Sequence, residues 1–301
     1  MHIPSSLFHA LAALALCLPW PAGQAAAQTA EQQALTATVA RLESTMHARI
    51  GVFIKHAGTD WQWGHRETER FLMASTFKSL LCGAVLDRVD HGTLSLDESL
   101  LVRPEEIHGH APVTRDQTGE PLSIGTLCRA TLDMSDNGAA NLLIDRLGGT
   151  AEVTAYMRRI GDTVTRLDRK EPDLNSFVPG DPRDTTSPVA MATSWETMLT
   201  GDVLSHESRA HLANWMGDGG VTAALIRPHV PAGWHVSDKS GGGDNTRSLV
   251  AMLTSENGSR YFVALYVSDT LVDWDTRNAA ISELGAAAVA YIQAHHAVTL
   301  R

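Results

Sequence analysis

Ser75-Thr76-Phe77-Lys78 is the stretch whose reading decides the fold. A serine three residues before a lysine puts both side chains on one face of a helix, about one turn apart. Phe77, Leu80, Leu81, Ala84, Val85 and Val89 then cover most of a helix's circumference. The spacing predicts a buried helix from Ser75 to about Asp90, stopped by Gly92 as a C′ glycine. A serine at such a helix start meets unpaired N–H groups and the positive end of the dipole, which favour developing negative charge. Lys78 lies inside the same apolar helix, where an ammonium needs partners or a lowered pKa. A neutral Lys78 amine can take the serine proton and make Ser75 a nucleophile. Read alone, the tetrapeptide is also a capped helix start with a snorkelling lysine.

Two more motifs follow in order. Ser135-Asp136-Asn137 precedes another helical pattern, and by itself it is an N-cap cluster. Lys239-Ser240-Gly241 closes a strand pattern and runs into Gly242-Gly243, by itself a glycine-rich hairpin turn. All three together, behind a secretory N-terminus, make acyl transfer through a serine ester the leading expectation.

Outward from these motifs, the flanks read as sheet and the middle as helix. Leu35, Val39, Leu42 and Met46 recur at helical spacing, predicting a helix over about 30–47. Strands are expected at Ile50–Lys55 and Trp61–Arg66, with a turn near Gly58-Thr59-Asp60. Helical patterns follow at Asn137–Leu147, Ala151–Ile160, Pro188–Thr200 and Ser205–Trp215. Between them, Arg166 to Thr186 has three prolines and no period, and a loop of that length is usually functional. Strand patterns return at Gly233–Lys239, Ser248–Thr254 and Arg260–Ser268. Ile281, Leu284, Ala288 and Tyr291 mark a closing helix. Strands at both ends of a helical middle predict an α+β fold. The end strands pair in one antiparallel sheet with the terminal helices on a face, and a pocket is expected at the boundary with the helical lobe.

The 301 residues suit one large domain or two intimately packed ones. Apolar content of 44% and charged content of 19% are ordinary for a folded soluble protein. A net charge of −10 argues against a nucleic-acid partner, which needs a basic face. Leu7 to Leu18 is an apolar run of h-region length, and Ala25-Ala26-Ala27 offers a small-residue cleavage site. Residues 1–27 therefore read as a signal peptide, although the n-region has no Lys or Arg. The run is too short to span a membrane, and no membrane anchor is expected. Leu16 before Cys17 is bulkier than a lipid-attachment site accepts. Cleavage leaves Cys82 and Cys128, and an oxidising compartment suggests that they form one disulfide, the alternative being two buried thiols. His108-Gly109-His110 has no third ligand at a recognisable spacing, so no metal and no cofactor are expected. Asn257-Gly258-Ser259 reads as a turn rather than a glycosylation site.

Ser-x-x-Lys, Ser-Asp-Asn and Lys-Thr-Gly form the signature of class A β-lactamases and penicillin-binding proteins. The likeness continues through Leu81-Cys82-Gly83 and through Ala139-Ala140-Asn141-Leu142-Leu143. Arg166-Leu167-Asp168-Arg169-Lys170-Glu171-Pro172-Asp173-Leu174-Asn175 resembles the class A omega loop, which would end near Arg183-Asp184-Thr185-Thr186. The chain thus resembles the class A serine β-lactamase family over essentially its whole mature length. That resemblance implies an α/β/α sandwich, with an antiparallel five-stranded sheet flanked by helices and a mostly helical lobe. Residues 28–301 would form a single catalytic domain, with the α/β lobe at 28–66 and 217–301 and the helical lobe at 67–216. It implies a periplasmic monomer that hydrolyses penicillin-type β-lactams through a serine acyl-enzyme and a hydrolytic water.

The resemblance also implies roles. Ser75 matches the acylated nucleophile, and Lys78 and Glu171 the candidate bases for acylation. Glu171 matches the activator of the deacylating water, which Asn175 helps to hold. Ser135 and Lys239 match the relay that protonates the departing nitrogen, and Asn137 the residue that binds the substrate's side-chain amide. The N–H groups of Ser75 and Gly242 match the oxyanion hole, and Arg169 would pair with Asp184 to brace the loop. Ser240 stands for the usual threonine and keeps its hydroxyl. Arg247 is the natural partner for the substrate carboxylate, in a turn one residue shorter than in many relatives. His110 takes the place of a frequent rim aromatic, and Ala74 and Gly243 leave no cysteine pair to link those positions. A D,D-peptidase or a non-hydrolysing penicillin sensor shares the three motifs. Glu171-Pro172-Asp173-Leu174-Asn175 favours the lactamase over the first, and the lack of membrane-spanning segments over the second.

Overall fold

The computed structural model describes residues 22–299, with side chains from residue 29, so the expected leader at 1–27 lies outside the side chains described. The helices are α1 (Ala22–Met46), α2 (Phe77–Asp90), α3 (Ile124–Asp133), α4 (Asn137–Leu147), α5 (Thr150–Arg159), α6 (Pro188–Thr200), α7 (His206–Trp215) and α8 (Trp274–Thr299). The main sheet has strands β1 (Arg49–His56), β2 (Gln62–His65), β3 (His235–Gly243), β4 (Thr246–Thr254) and β5 (Arg260–Ser268). They pair antiparallel in the order β2-β1-β5-β4-β3. The N-terminal and C-terminal thirds of the chain meet where β1 pairs with β5.

Side chains alternate across a strand, so the inner strands β1, β4 and β5 each supply two cores. Ile50, Val52, Ile54, Leu249, Leu253, Val263 and Leu265 pack against Leu35, Val39, Leu42 and Met46 of α1 and Ile281, Leu284 and Ala288 of α8. Phe53, Val250, Phe262, Ala264 and Tyr266 face the other way, into the helical lobe. Covering on both faces explains why Tyr261 to Val267 reads as an unbroken apolar run. In the lobe, α2 is the central helix, with α3, α4, α5, α6 and α7 around it. Phe77 to Asp87 are all buried. Each fully buried Leu or Phe there contributes about 1.5–3 kcal/mol, which fixes the helix that carries Lys78.

Four differences from the sequence reading have physical causes. The α-helix begins at Phe77, because Ala74–Thr76 form a tight 3₁₀ turn ahead of it. β3 runs past Lys239 to Gly243, since its glycines pair with Arg247 and Thr246 of β4, leaving a two-residue turn in which Asn245 takes positive φ. Helix α3 was not anticipated, although Ser123 caps it by accepting from Thr126 N–H at 3.2 Å and its buried residues Ile124, Leu127, Cys128 and Thr131 follow helical spacing. The expected Cys82–Cys128 disulfide is not formed: both are buried free thiols between α2 and α3. Cys82 Sγ instead sits 3.8 Å from the Cys128 carbonyl oxygen, and burial pushes its thiol well above the ordinary range. In that apolar setting the two behave as small hydrophobes.

Candidate active site

The site lies where β3, the edge strand of the sheet, meets the turn that starts α2. Ala74, just before the serine, has φ of +43°, a left-handed conformation that costs a non-glycine residue on the order of 1–2 kcal/mol. This turn presents Ser75 at the wall of a cavity of about 370 Å³. Gly241 of β3 must be glycine, because a Cβ there would stand 2.6 Å from the Met73 carbonyl oxygen and 3.0 Å from the Ser75 nitrogen. The edge strand therefore lies directly against the serine's backbone.

Lys78 is completely buried one turn on, and its charge is met by oxygens from two other segments, Ser135–Asn137 and Glu171. Its Nζ donates to the Ser135 carbonyl at 2.8 Å and to Asn137 Oδ1 at 2.7 Å, and lies 3.4 Å from Ser135 Oγ. Glu171 Oε1 is 3.1 Å away. Burial lowers the Lys78 pKa below the usual lysine range, and Glu171 opposes that shift. A buried lysine so placed is ready to exchange a proton. Lys239 stands on the other side of Ser135, its Nζ 3.1 Å from Ser135 Oγ and 2.8 Å from the Ser240 carbonyl. Burial, with Lys78 and Arg247 nearby, pushes Lys239 well below its ordinary pKa. Ser135 thus bridges two lysines, in another left-handed conformation with φ of +57°.

Asp136 holds that bridge in place. It caps α4 by accepting from Ala139 N–H at 2.9 Å. The same carboxylate accepts from Val113 N–H, Thr114 N–H and Thr114 Oγ1. Asn137, the next residue, receives its register from its own N–H to the His110 carbonyl at 2.9 Å. Its Oδ1 is engaged by Lys78, which orients the Nδ2 group away from that lysine.

The segment expected to be without structure is tied down at several points. Arg169 Nε donates to Asp184 Oδ2 at 2.6 Å, and Asp184 Oδ1 accepts from the Asp168 and Arg169 amides. Thr185–Thr186 pairs with Phe71–Leu72 ahead of the serine turn. Asn141 of α4 grips the Glu171 backbone from both sides, Nδ2 to its carbonyl and Oδ1 from its N–H. These ties turn Glu171 inward, 4% exposed, with Oε2 accepting from Asn175 Nδ2 at 2.5 Å. Glu171 Oε1 and Asn175 Oδ1 are buried acceptors with no hydrogen bond among the described residues.

Across the cavity, Arg247 of β4 is buried and donates to the Gly241 carbonyl at 2.8 Å and to Asn278 Oδ1 at 2.7 Å. The short hairpin therefore brings Arg247 into the cavity wall. Burial, with Arg277 beside it, draws its pKa down to about 10, still charged at neutral pH. Ser240, Gly242, Asn175, Asn137 and His110 also line the cavity. His110 is anchored by Nε2 to the Met134 carbonyl at 2.9 Å.

Every site residue expected from the sequence, apart from the two cysteines, converges here: Lys78, Glu171 and Lys239 behind the wall, the rest on it. Among the described residues, no hydrogen bond joins Lys78 to Ser75, although helical spacing predicted them on one face. Sequence reasoning missed Val221 and Trp274 in the wall, and Asn278 behind it. The available signal for the last two was their i, i+4 spacing at a helix start. Gly242, expected to be bare for a ligand's sake, is also pressed by the Trp274 ring, 2.5 Å from where a Cβ would stand. Among the described residues no cluster of three His, Cys, Asp or Glu side chains is placed to hold a metal ion.

Comparison with known proteins adds the following. Residues 33–292 match the model of the beta-lactamase enzyme family. A β-lactamase of Rhodobacter capsulatus is 48% identical over 261 residues, spanning 87% of this chain and 89% of that protein. β-Lactamase AER-1 of Aeromonas hydrophila is 41% identical over 245 residues, 81% of each. Among solved structures, a β-lactamase from Xanthomonas campestris pv. campestris matches with a TM-score of 0.84 at 39% identity, covering 87% of this chain and 98% of that one. The class A β-lactamase described as the last common ancestor of Gram-negative bacteria matches with a TM-score of 0.83 at 43% identity, covering 86% and 99%.

Proposed function

The chain belongs to the beta-lactamase enzyme family, as a class A member, and from that premise we propose how its own residues carry out the reaction. The activity is hydrolysis of the β-lactam ring, the chemistry of resistance to penicillin-type antibiotics. Ser75 Oγ attacks the lactam carbonyl, and its proton passes either to Lys78 or, by way of a water, to Glu171. The oxyanion is stabilised by the N–H groups of Ser75 and Gly242, each worth roughly 3–4 kcal/mol in comparable acyl-transfer sites. As the C–N bond breaks, Ser135 passes a proton to the nitrogen and is resupplied by Lys239 or Lys78. Glu171 then takes a proton from a water whose oxygen attacks the ester, and that proton passes to Ser75 Oγ as the ester C–O bond breaks, returning Glu171 to the carboxylate. Arg247 receives the substrate carboxylate, Asn137 its side-chain amide, and Ser240 and His110 complete the binding walls.

One observation carries this reading: a buried carboxylate, Glu171, stands 3.1 Å from Lys78 on a loop fastened by Asn141 and Asp184. Its Oε1 is ion-paired with Lys78 but, like Asn175 Oδ1, makes no hydrogen bond among the described residues, so both keep acceptor capacity for a water. A D,D-peptidase lacks an efficient water activator of this kind, so its acyl-enzyme with β-lactams is long-lived. The test is direct. Purified protein consumes nitrocefin catalytically and shows a transient penam adduct by rapid-quench mass spectrometry; absence of both turnover and labelling would refute the mechanism.

We further propose that residues 1–27 direct export, that the mature enzyme works as a periplasmic monomer, and that no cofactor joins it. Among the described residues, no helix is long and apolar enough to cross a membrane. In a Gram-negative expression host the periplasmic fraction should yield an intact mass that begins at Gln28. A mass retaining Leu7–Leu18 would sink the export proposal.

A further inference from the structure

Arg247 is a buried guanidinium with no carboxylate partner among the described residues. Its two hydrogen bonds go to neutral acceptors, the Gly241 carbonyl and Asn278 Oδ1. The remaining support is aromatic: its Cζ lies 4.6 Å from the centre of the Trp274 ring. That ring is itself fixed. Trp274 opens α8, whose first turn is held by Asp273 Oδ1 accepting from Thr276 N–H at 2.7 Å. The Cη2–Cζ3 edge of the indole lies beside Gly242, 2.5 Å from where a Cβ would stand. Arg277, 5.6 Å from the ring centre, donates to the Gly243 and Thr246 carbonyls and so clamps the helix start to the β3–β4 hairpin. Yet Trp274 remains 47% exposed and lines the cavity beside Arg247.

A buried cation without a counter-ion must be stabilised by what surrounds it, and an indole face is the best neutral surface for that. The same ring leaves a flat apolar wall at the cavity's anion-binding end. We propose that Trp274 is a positioning and specificity-determining residue: it holds Arg247 in the carboxylate-receiving pose and stacks with flat substituents next to the substrate's carboxylate. This rests on the reading of Arg247 given above. The substrates so favoured are bicyclic β-lactams, chiefly cephalosporins, that carry an aromatic group on the ring carbon adjoining the carboxylate-bearing one. Gly242 is part of the device, since any side chain there would displace the indole.

Steady-state kinetics of Trp274→Ala and Trp274→Phe test it with three substrates: benzylpenicillin, nitrocefin, and a cephalosporin with only a methyl group at the carbon where nitrocefin carries its dinitrostyryl group. Trp274→Ala should raise KM about tenfold on all three, within the range of a desolvated cation–π contact, with kcat changed much less. Nitrocefin should lose about threefold more than the methyl compound, the scale of one aromatic stack. Trp274→Phe should recover most of both effects, and it serves as the readout if Trp274→Ala does not fold, as checked by thermal melting. Unchanged KM in the folded variants, equal loss on the two cephalosporins, or a Trp274→Phe no better than Trp274→Ala would overturn the inference. Arg247→Ala separates it from the reading beneath: unchanged KM there refutes the carboxylate role itself. Raised KM there with none in Trp274→Ala refutes only the part assigned to Trp274.

Discussion

Ser75→Ala should abolish turnover while leaving the protein folded. The loss in kcat should be on the order of 10⁶, the scale seen when an acyl-transfer enzyme loses its nucleophile. The reason lies in what the side chain does and does not touch. Ser75 lines the cavity, and the turn around it is held by backbone and by neighbours. Thr76 N–H and Thr76 Oγ1 both donate to the Met73 carbonyl, and Met73 N–H donates to the Asp184 carbonyl. Among the described residues, no hydrogen bond uses the Ser75 hydroxyl. Removing it should therefore shift stability by no more than about 0.5 kcal/mol. Nitrocefin initial rates and a melting curve read both quantities, and an incubation with benzylpenicillin should leave the intact mass unchanged. Hydrolysis within tenfold of the parent rate by a cleanly folded Ser75→Ala protein would remove the serine ester from the mechanism.

What the sequence disclosed, and what it withheld, divides along the range of the interaction. Ser75, Lys78, Ser135, Asn137 and Lys239 were legible because each motif is local, a cap or one helical turn or a strand end. Their order along the chain carries the family resemblance. The sheet was legible because its strand patterns fall only in the two ends of the chain, each beside a terminal helical pattern, while the middle reads as helix. Contacts between motifs were not legible. Lys78 meets Ser135, Asn137 and Glu171 across 57 or more residues, and no spacing rule reports where an amine turns inside a buried site. Arg247 was hard to place because one residue in a hairpin flips a side chain to the other face. The pairing of Gly242 with Arg247 fixes it. Trp274 escaped because its role comes from a helix that closes the chain and packs on a strand some thirty residues earlier. The cysteine pair was misjudged because compartment and parity suggest a bond, whereas packing in the structure leaves two thiols.

Glu171→Ala should split the two halves of the reaction. Loss of a general base slows its step by about 10²–10⁴-fold, so the ester on Ser75 should accumulate. The geometry says which half suffers. Glu171 Oε2 is engaged by Asn175, while Oε1 faces Lys78 without a hydrogen bond. Glu171 is also what opposes the burial of Lys78 and raises its pKa. Removing the carboxylate therefore moves Lys78 further toward the neutral amine, the form able to take the serine proton. Acylation should persist, with Ser135 and Asn137 still holding Lys78, and deacylation should stall. Intact-mass spectrometry after brief exposure to benzylpenicillin should show a stable adduct of the whole penicillin mass, persisting long after the parent enzyme has returned to its free mass. Stability is a separate matter. Breaking a buried ion pair costs about 3–5 kcal/mol when the survivor stays charged, and less if Lys78 sheds its proton. Glu171→Gln keeps the shape and the link to Asn175, and it should trap the same adduct if Glu171→Ala is too unstable to purify. Normal turnover with no trapped species would show that Glu171 does not activate the water. Failure of the folded variants to acylate at all would assign the first proton transfer to Glu171 rather than Lys78.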